Sequence, residues 1–392
     1  MQHDFTTLIN RHAQGSSKWA GMKVKNPNVP DTIVPLSVAD MELKNAPEIV
    51  QGLQDYIGET ILGYTATSDA YYQAVIDWMQ RRHNWKVEKD WILFSAGVVS
   101  GVGAAVQAYT KPGDGVIVQQ PVYYPFKMQV EMNSRTMVNN PLKLISDRYE
   151  MDFVDLEAKA KDPANTAIIL CSPHNPVGRV WTKEELTKLA RICIDNNVTI
   201  ISDEIHFDLI KPGMKHIVFA TISEEAAQHC IVLTAPSKTF NLAGLQTSNV
   251  IIPNKELREQ YAKYTSRGIN MLGKKACELA YTYAEGWLEE CIALIFHNAE
   301  VVEQFLAAKM PMIKVIPLEG TYLMWLDFKA FGLDNKALED FMVQDALWFT
   351  DEGYIFGDDG SGYERINIAC PTFVIEEALD RLYKAAKAKK LI

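Results

Sequence analysis

The sequence lacks the cysteine and charge patterns that mark several common protein classes. None of its six cysteines lies in a C-x-x-C pair, so we expect reduced core thiols, with no disulfide framework and no metal site. The net charge is −10, and basic residues cluster only between Lys384 and Lys390, so nucleic acid is not an expected partner. The cysteines are Cys171, Cys193, Cys230, Cys277, Cys291 and Cys370.

Long apolar runs are also missing. No stretch of about 18 successive apolar residues occurs, and the first residues carry no basic segment followed by an apolar one. We therefore expect no membrane span, no secretory signal and a cytoplasmic protein. The composition, 48% hydrophobic and 22% charged, is that of an ordinary globular chain with room for about two or three domains.

Seven short apolar runs predict β-strands, several of them separated by helical patterns. This alternation indicates an α/β fold with a seven-stranded, mostly parallel sheet between helices. In such open sheets ligands bind beyond the carboxyl ends of the strands. The runs lie at residues 91–94, 116–119, 136–138, 167–171, 198–202, 230–234 and 249–252.

The two ends of the chain predict a second, smaller α+β domain. The sequence is helical from residue 253 to about 309, and then alternates short strands with a closing helix. We predict an irregular N-terminal arm over residues 1–45 that joins the small domain. The large, cofactor-binding domain is expected over 46–285 and the small C-terminal domain over 286–392.

Lys238 stands in a loop of small and polar residues just after the apolar run 230–234. Alone, it would be read as a solvated lysine. However, Asp203 ends another apolar run and Asn175 follows a third. In a pocket between these strand ends the amine would lose its proton more easily, and it could form a Schiff base with an aldehyde cofactor.

An aldehyde-pyridine cofactor needs several further groups, and the sequence offers a candidate for each. Asp203 can keep the pyridine nitrogen protonated, Asn175 can donate to the ring hydroxyl oxygen, and Tyr123 can stack on the ring. Arg365 can bind a substrate carboxylate with two hydrogen bonds. Taken singly, Arg365 could equally be a surface ion-pair partner and Tyr123 a core residue; their joint order favours the cofactor.

A strand-to-helix turn offers a phosphate site. Gly97, Val98 and Val99 open the helical pattern, so their amides and the helix dipole can face an anion. The nearby glycines do not complete G-x-G-x-x-G, which disfavours a nicotinamide site.

Three motifs carry a family resemblance: Ser-Asp-Glu-Ile-His at 202–206, Ala-Pro-Ser-Lys-Thr-Phe-Asn at 235–241 and Glu-Gly-Thr-Tyr at 319–322. Together they resemble the fold-type I pyridoxal-phosphate enzymes of the class I/II aminotransferase superfamily. More narrowly, the chain resembles the cystathionine β-lyase (C–S lyase) branch, of the MalY/PatB type. The resemblance extends over nearly the whole chain and implies the aspartate aminotransferase-like fold.

The resemblance implies further roles. Pyridoxal 5′-phosphate would be held by Lys238, with Ser237 near the phosphate and His206 beside the ring. Tyr64 would reach the phosphate in the neighbouring subunit, which implies a homodimer with shared active sites. Ala39 would contact the amino-acid substrate.

Three positions depart from related patterns. Class I aminotransferases carry serine or glycine where this chain has Ala235, and a phosphate-binding arginine where it has Gln246. The lyase branch often has tryptophan in place of Ser37. The phosphate is therefore expected to depend more on backbone amides and on Ser237, with Tyr64 as a further candidate.

The residues alone leave three functions open. Loss of a thiolate from Cβ would make the protein a C–S β-lyase that forms pyruvate and ammonia, and the resemblance favours this reading. Reprotonation on the cofactor would make it an aminotransferase with the same residues. The third alternative is a regulatory protein with a relic site, against which the intact Lys238, Asp203, Asn175 and Arg365 argue.

Overall fold

A seven-stranded sheet forms the centre of the computed structural model, which describes residues 3–265 and 268–392. A four-stranded sheet and a two-stranded hairpin accompany it. The strands are β1 (Ile92–Ser95), β2 (Gly115–Val118), β3 (Thr136–Asn139), β4 (Lys143–Ile145), β5 (Arg148–Glu150), β6 (Asn165–Cys171), β7 (Thr199–Asp203), β8 (Cys230–Thr234), β9 (Ser248–Ile251), β10 (Lys314–Val315), β11 (Leu323–Asp327), β12 (Asp351–Glu352) and β13 (Tyr363–Asn367).

Helices cover both faces of the large sheet and one side of the small one. Short 3₁₀ turns and one π-helical turn at Phe341–Ala346 connect some of them. The α-helices are α1 (Ser17–Lys25), α2 (Pro47–Glu59), α3 (Asp69–His83), α4 (Val98–Tyr109), α5 (Pro125–Met132), α6 (Phe153–Ala160), α7 (Lys183–Asp195), α8 (Glu224–Gln228), α9 (Pro236–Thr239), α10 (Lys255–Tyr261), α11 (Met271–Tyr283), α12 (Glu285–Lys309), α13 (Asn335–Asp340) and α14 (Thr372–Ala388).

The large sheet has the order β1-β9-β8-β7-β6-β2-β3. The pairs β1–β9 and β9–β8 are antiparallel and the others are parallel, which confirms the predicted seven-stranded, mostly parallel sheet. Its central strands are apolar on both faces: Ile200 packs into the core on one side, and the adjacent Ile201 packs into the core on the other. This double burial is the reason that the strands appear in the sequence as continuous apolar runs.

The register of the central strands brings their carboxyl ends to one edge. Cys171 at the end of β6 pairs with Asp203 at the end of β7, and Asp203 pairs in turn with Leu233 of β8. The segments that carry Asn175 and Lys238 leave the sheet directly after β6 and β8. The three predicted polar side chains therefore lie at the same edge of the sheet.

The smaller sheet has the order β10-β11-β13-β12 and is antiparallel throughout. Helices α12 and α14 pack against each other over its buried side, with side chains such as Leu306 and Leu382 in the core. This sheet positions Arg365 on β13, directly opposite Asp351 on β12. The proposed division of the chain at residues 45 and 285 stays a prediction.

Helix α1 lies in the arm that the sequence predicted to be irregular. Its buried side chains are Lys18, Trp19 and Met22, and the buried lysine forms an ion pair with Glu42 at 2.9 Å. A lysine on the inner face of a helix breaks the expected apolar pattern. Partners that are distant in the sequence, Glu42 and the backbone oxygen of Asp40, make that burial favourable, so periodicity could not identify the helix.

Helix α12 is long and apolar enough to cross a membrane by length and composition alone, with a mean hydropathy of 1.3. Half of its apolar window is buried within the protein, where Trp287, Leu288 and Ile295 join the core. We interpret it as a core helix. All six cysteines are free and buried.

Candidate active site

A cavity of about 170 Å³ opens at the carboxyl edge of the large sheet. Every predicted site residue lines it except Tyr64 and Arg365. The lining residues are Ala39, Gly97, Val98, Val99, Tyr123, Cys171, Asn175, Asp203, Ile205, His206, Ser237, Lys238, Ala243 and Gln246.

Lys238 reaches this cavity from the single turn of helix α9, which follows β8. Its Nζ donates a hydrogen bond to the backbone oxygen of Ala39 at 2.7 Å. Burial lowers the pKa of Lys238 to about 8, although the nearby carboxylates of Asp40 and Asp203 oppose that shift. The amine is therefore much more often neutral near pH 8 than an exposed lysine is, and a neutral amine is the form that attacks an aldehyde or accepts a proton.

Asp203 lies at the end of β7 and is only 4% exposed. Burial raises the pKa of its carboxyl group to about 7, while the hydrogen bond from the Ile205 backbone N–H, at 3.0 Å, acts in the opposite direction. Among the described residues no cationic side chain forms an ion pair with it. A buried carboxyl group in this setting is suited to a positively charged ring nitrogen, which would supply the missing counter-charge.

Asn175 joins the cavity to Arg365. Its Oδ1 accepts a hydrogen bond from Arg365 Nη1 at 2.8 Å, which leaves the amide Nδ2 as the donor for a ring oxygen. The Asn175 backbone oxygen accepts from the N–H of Tyr123 at 3.1 Å. Arg365 does not line the cavity itself, but it lies directly behind Asn175, which does.

Asp351 is the residue of this site that the sequence did not reveal. Its Oδ2 accepts from Arg365 Nη2 at 2.6 Å and from the Val38 backbone N–H at 2.8 Å. It thereby ties Arg365 to the segment that carries Ala39. No local sequence pattern identifies this role. Strand β12 has only two residues, and both of them, Asp351 and Glu352, are acidic, so the sequence does not show which one pairs with Arg365.

The turn before α4 can bind an anion, but one of the three predicted backbone amides, that of Gly97, is not available. Gly97 adopts φ of +85°, a conformation that favours glycine, and its N–H already donates to the Ser95 backbone oxygen at 2.9 Å. The Gly97 amide is therefore engaged within the turn. The amides of Val98 and Val99 open the helix, and with Ser237 they are the groups available to a phosphate.

His206 is buried, and its Nδ1 has no hydrogen-bond partner among the described residues. The ring meets Tyr322 edge-on, with 5.8 Å between the centroids. Burial lowers the pKa of His206 well below its usual value, and the positive charges of Lys238 and Arg365 act in the same direction. The histidine is therefore neutral at pH 7.

Tyr64 lies away from the cavity. Its side chain is fully exposed, and it lines a separate concave surface with Gly268 and Asn270. The structure does not bring it to the site of its own chain. Gln246, in contrast, lines the cavity in the left-handed backbone conformation with φ of +44°.

Comparison with known proteins places this geometry in context. The family model "Aminotransferase class I and II" matches residues 31–382. Cystathionine beta-lyase PatB of Bacillus subtilis is 42% identical over 90% of this chain and 92% of its own. The crystal structure of cystalysin from Treponema denticola, which contains a pyridoxal 5′-phosphate cofactor, has a TM-score of 0.98 and 49% identity over 99% of this chain and 100% of that chain. A pyridoxal-phosphate-bound C–S lyase from Staphylococcus hominis has a TM-score of 0.91 and 31% identity, with 98% of both chains covered.

Proposed function

We propose that this chain, which belongs to the aminotransferase class I and II family, is a pyridoxal-phosphate-dependent C–S β-lyase. It cleaves thioether amino acids such as cystathionine to a thiol, pyruvate and ammonia. The observation that carries the proposal is the meeting of Lys238 and Asp203 in one small buried cavity. The relatives named as cystathionine β-lyases and C–S lyases support the choice of reaction.

The cofactor is pyridoxal 5′-phosphate, and the residues present fit it. Asp203 is a buried carboxyl group without a cationic partner among the described residues, and the amides of Val98 and Val99 open a helix of sufficient length for an anion. When bound, this cofactor supplies an electron-withdrawing ring that accepts the electron pair released at Cα. Lys238, Asp203, Asn175 and Ser237 would hold it.

Each side chain then has a defined task. Arg365 would bind the α-carboxylate of the substrate through its Nε–H, which is buried and has no hydrogen-bond partner among the described residues, while Asn175 and Asp351 fix the orientation of its guanidinium group. Lys238 Nζ, with its lowered pKa, accepts the proton from Cα. Asp203 would hold a positive charge on the ring nitrogen of the bound cofactor, so that negative charge developing at Cα is stabilised. Tyr123, which lines the same cavity, would help to exclude water.

The reaction class can be tested with cystathionine and no added 2-oxo acid. We expect the purified protein with pyridoxal phosphate to release pyruvate over many turnovers, because β-elimination needs no amino-group acceptor. The measurement is pyruvate formation coupled to lactate dehydrogenase, with and without added 2-oxoglutarate.

Two other outcomes would assign the alternatives. Turnover that requires 2-oxoglutarate would identify an aminotransferase and overturn the lyase assignment. A protein that stays colourless with added pyridoxal phosphate and shows neither activity would be a regulatory protein with a relic site.

We also infer a homodimer with shared active sites. Tyr64 is fully exposed, and exposed apolar side chains precede it at Val50, Ile57, Ile61 and Leu62. A second copy of the chain would cover this surface and would place Tyr64 near the phosphate of the partner. A cytoplasmic location stays a prediction.

Complementation between two inactive variants tests the shared site. Lys238→Ala and Tyr64→Ala are unfolded together and refolded as a mixture, so that hybrid dimers form. If Tyr64 serves the partner's site, each hybrid has one intact site, and the mixture should regain about a quarter of the wild-type rate. The same two variants refolded separately are the control. A mixture no more active than their average would place Tyr64 in its own subunit's site, or outside any site.

A further inference from the structure

A second cavity, of about 780 Å³, adjoins the catalytic one. The two cavities share Ala39, Lys238 and Ala243. The remaining walls of the larger cavity come from the N-terminal arm, around residues 9–17, from the segment 38–50, and from Asn241 and Gly244. A substrate that reacts at Lys238 could therefore extend its side chain into this space.

One cation and one anion meet on the wall of this larger cavity. Arg11 Nη2 donates to Asp40 Oδ2 at 2.9 Å, and the two side chains are 21% and 23% exposed. Both residues line the cavity. Their partial exposure leaves hydrogen-bonding capacity on each group, because a guanidinium group has five N–H donors and a carboxylate accepts on two oxygens.

The surrounding contacts hold this pair in place. Arg11 Nη1 donates to Glu42 Oε1 at 3.0 Å, and the buried Glu42 is also bonded to Lys18 and Trp19. The backbone oxygen of Asp40 accepts from Lys18 Nζ at 2.8 Å. Asp40 also follows Ala39, whose backbone oxygen accepts from the catalytic lysine. The pair is thus a preorganised ion pair, and its carboxylate belongs to the residue next to the one that binds the reacting amine.

We propose that the Arg11–Asp40 pair is the subsite for a distal amino-acid group of the substrate. The distal carboxylate would bind Arg11 and the distal ammonium group would bind Asp40, since both contacts are charge-assisted. The preferred substrates are then thioethers with an amino acid at each end, and cystathionine is one of them. This inference rests on the proposed lyase function and adds the choice of substrate to it.

A purely structural role for the pair, as an anchor for the N-terminal arm, makes a different prediction. An anchor would affect all substrates alike, because it would act through the fold. Glu42 keeps its bonds to Lys18 and Trp19 when Arg11 is replaced, so the arm retains most of its attachment. The informative measurement is therefore the ratio of the kcat/KM values for two substrates, rather than the activity on one substrate.

The experiment compares cystathionine with S-butyl-L-cysteine, which has the same carbon chain beyond sulfur but neither distal charge. In the Arg11→Met variant we expect the ratio of kcat/KM for cystathionine to kcat/KM for S-butyl-L-cysteine to fall at least about tenfold, mainly through KM. The matched control is Lys44→Met. Lys44 lines the same cavity and carries the same charge, but it is bound to Asp4 at 2.7 Å on the exposed side. That variant should keep the ratio within about twofold.

A wild-type measurement does not depend on the folding of any variant. S-(3-carboxypropyl)-L-cysteine lacks only the distal amino group of cystathionine, and we expect its kcat/KM to lie between those of cystathionine and S-butyl-L-cysteine. Arg11→Lys, which keeps the charge but loses the planar group, should lower the cystathionine ratio by less than Arg11→Met does.

The possible results separate cleanly. An unchanged ratio in Arg11→Met, an equal fall in Lys44→Met, or a wild-type preference for S-butyl-L-cysteine would each overturn the subsite. Failure of the wild-type protein to cleave any of the three thioethers would overturn the proposed lyase function instead.

Discussion

Replacing Lys238 with alanine is expected to lower pyruvate release from cystathionine by at least about 10³-fold. The lysine is the one amine that lines the small cavity with Asp203, and its lowered pKa suits it to take the Cα proton. No other described side chain in that cavity offers an amine. Steady-state kinetics with saturating pyridoxal phosphate provide the measurement, and methylamine added to the variant should restore part of the rate.

The control for this change is Lys23→Ala. Lys23 also donates to a backbone oxygen, that of Val29 at 2.8 Å, but it lies outside the cavity. This variant should keep its activity within about twofold. If Lys238→Ala retained more than about a tenth of the wild-type rate, the lysine would not be the proton acceptor.

Lys238 also has a predictable effect on the stability of the cofactor-free protein. The folded state lowers its pKa from 10.5 to about 8, so the folded state binds this proton less tightly than the unfolded chain does. The stability that Lys238 contributes is present above pH 10.5 and is lost as the pH falls towards 8. In Lys238→Ala this part of the pH dependence should disappear, and the variant should not melt earlier than wild type at pH 7.

Replacing Asp203 with asparagine is expected to lower kcat by about 10²–10⁴-fold, because an amide cannot stabilise a positive charge on the ring nitrogen. The side chain keeps its size, and its oxygen can still accept from the Ile205 N–H, so the cavity should keep its shape. Single-turnover and steady-state rates on cystathionine would measure the loss. Cofactor binding should weaken as well, which the absorbance of the bound cofactor would report.

Glu204→Gln is the matched control, because it removes the adjacent buried charge. Glu204 faces away from the cavity, where it accepts from Ser202 Oγ at 2.8 Å and from the Phe219 N–H at 2.9 Å and lies 2.7 Å from His216 Nε2. We expect this variant to lose thermal stability while its kcat falls less than about threefold. Equal losses of kcat in the two variants would show that Asp203 acts through the fold rather than on the cofactor.

The Asp203→Asn substitution should also stabilise the cofactor-free protein. Burial raises the pKa of Asp203 from 3.8 to about 7, so the stability from this group is present below pH 3.8 and is lost as the pH rises towards 7. The asparagine side chain carries no charge and avoids that loss. A higher melting temperature together with a lower kcat is the expected signature of a residue that is strained for function.

Local sequence patterns were sufficient to predict the strands of the large sheet and the polar residues at its edge. Continuous apolar runs predicted its strands because each strand is buried on both faces, and parallel strands necessarily bring their ends together. Lys238, Asp203 and Asn175 could therefore be placed near one another from the sequence, and the family resemblance supported the roles that their chemistry suggested. Helix α7 begins at a signal of the same local kind, because Thr182 and Glu185 form a capping box within three residues of each other.

Contacts between distant segments could not be inferred in this way. The pairing of Arg365 with Asp351, the exposure of Tyr64 and the Arg11–Asp40 pair beside Ala39 each depend on where whole elements pack. A charged side chain has many possible partners in a sequence with 49 acidic and 39 basic residues. Periodicity and turn chemistry act over a few residues, so the sequence by itself determined the sheet and the residues at its edge. The choice of charge partners depends on burial and on distances across the fold, which only the tertiary structure decided.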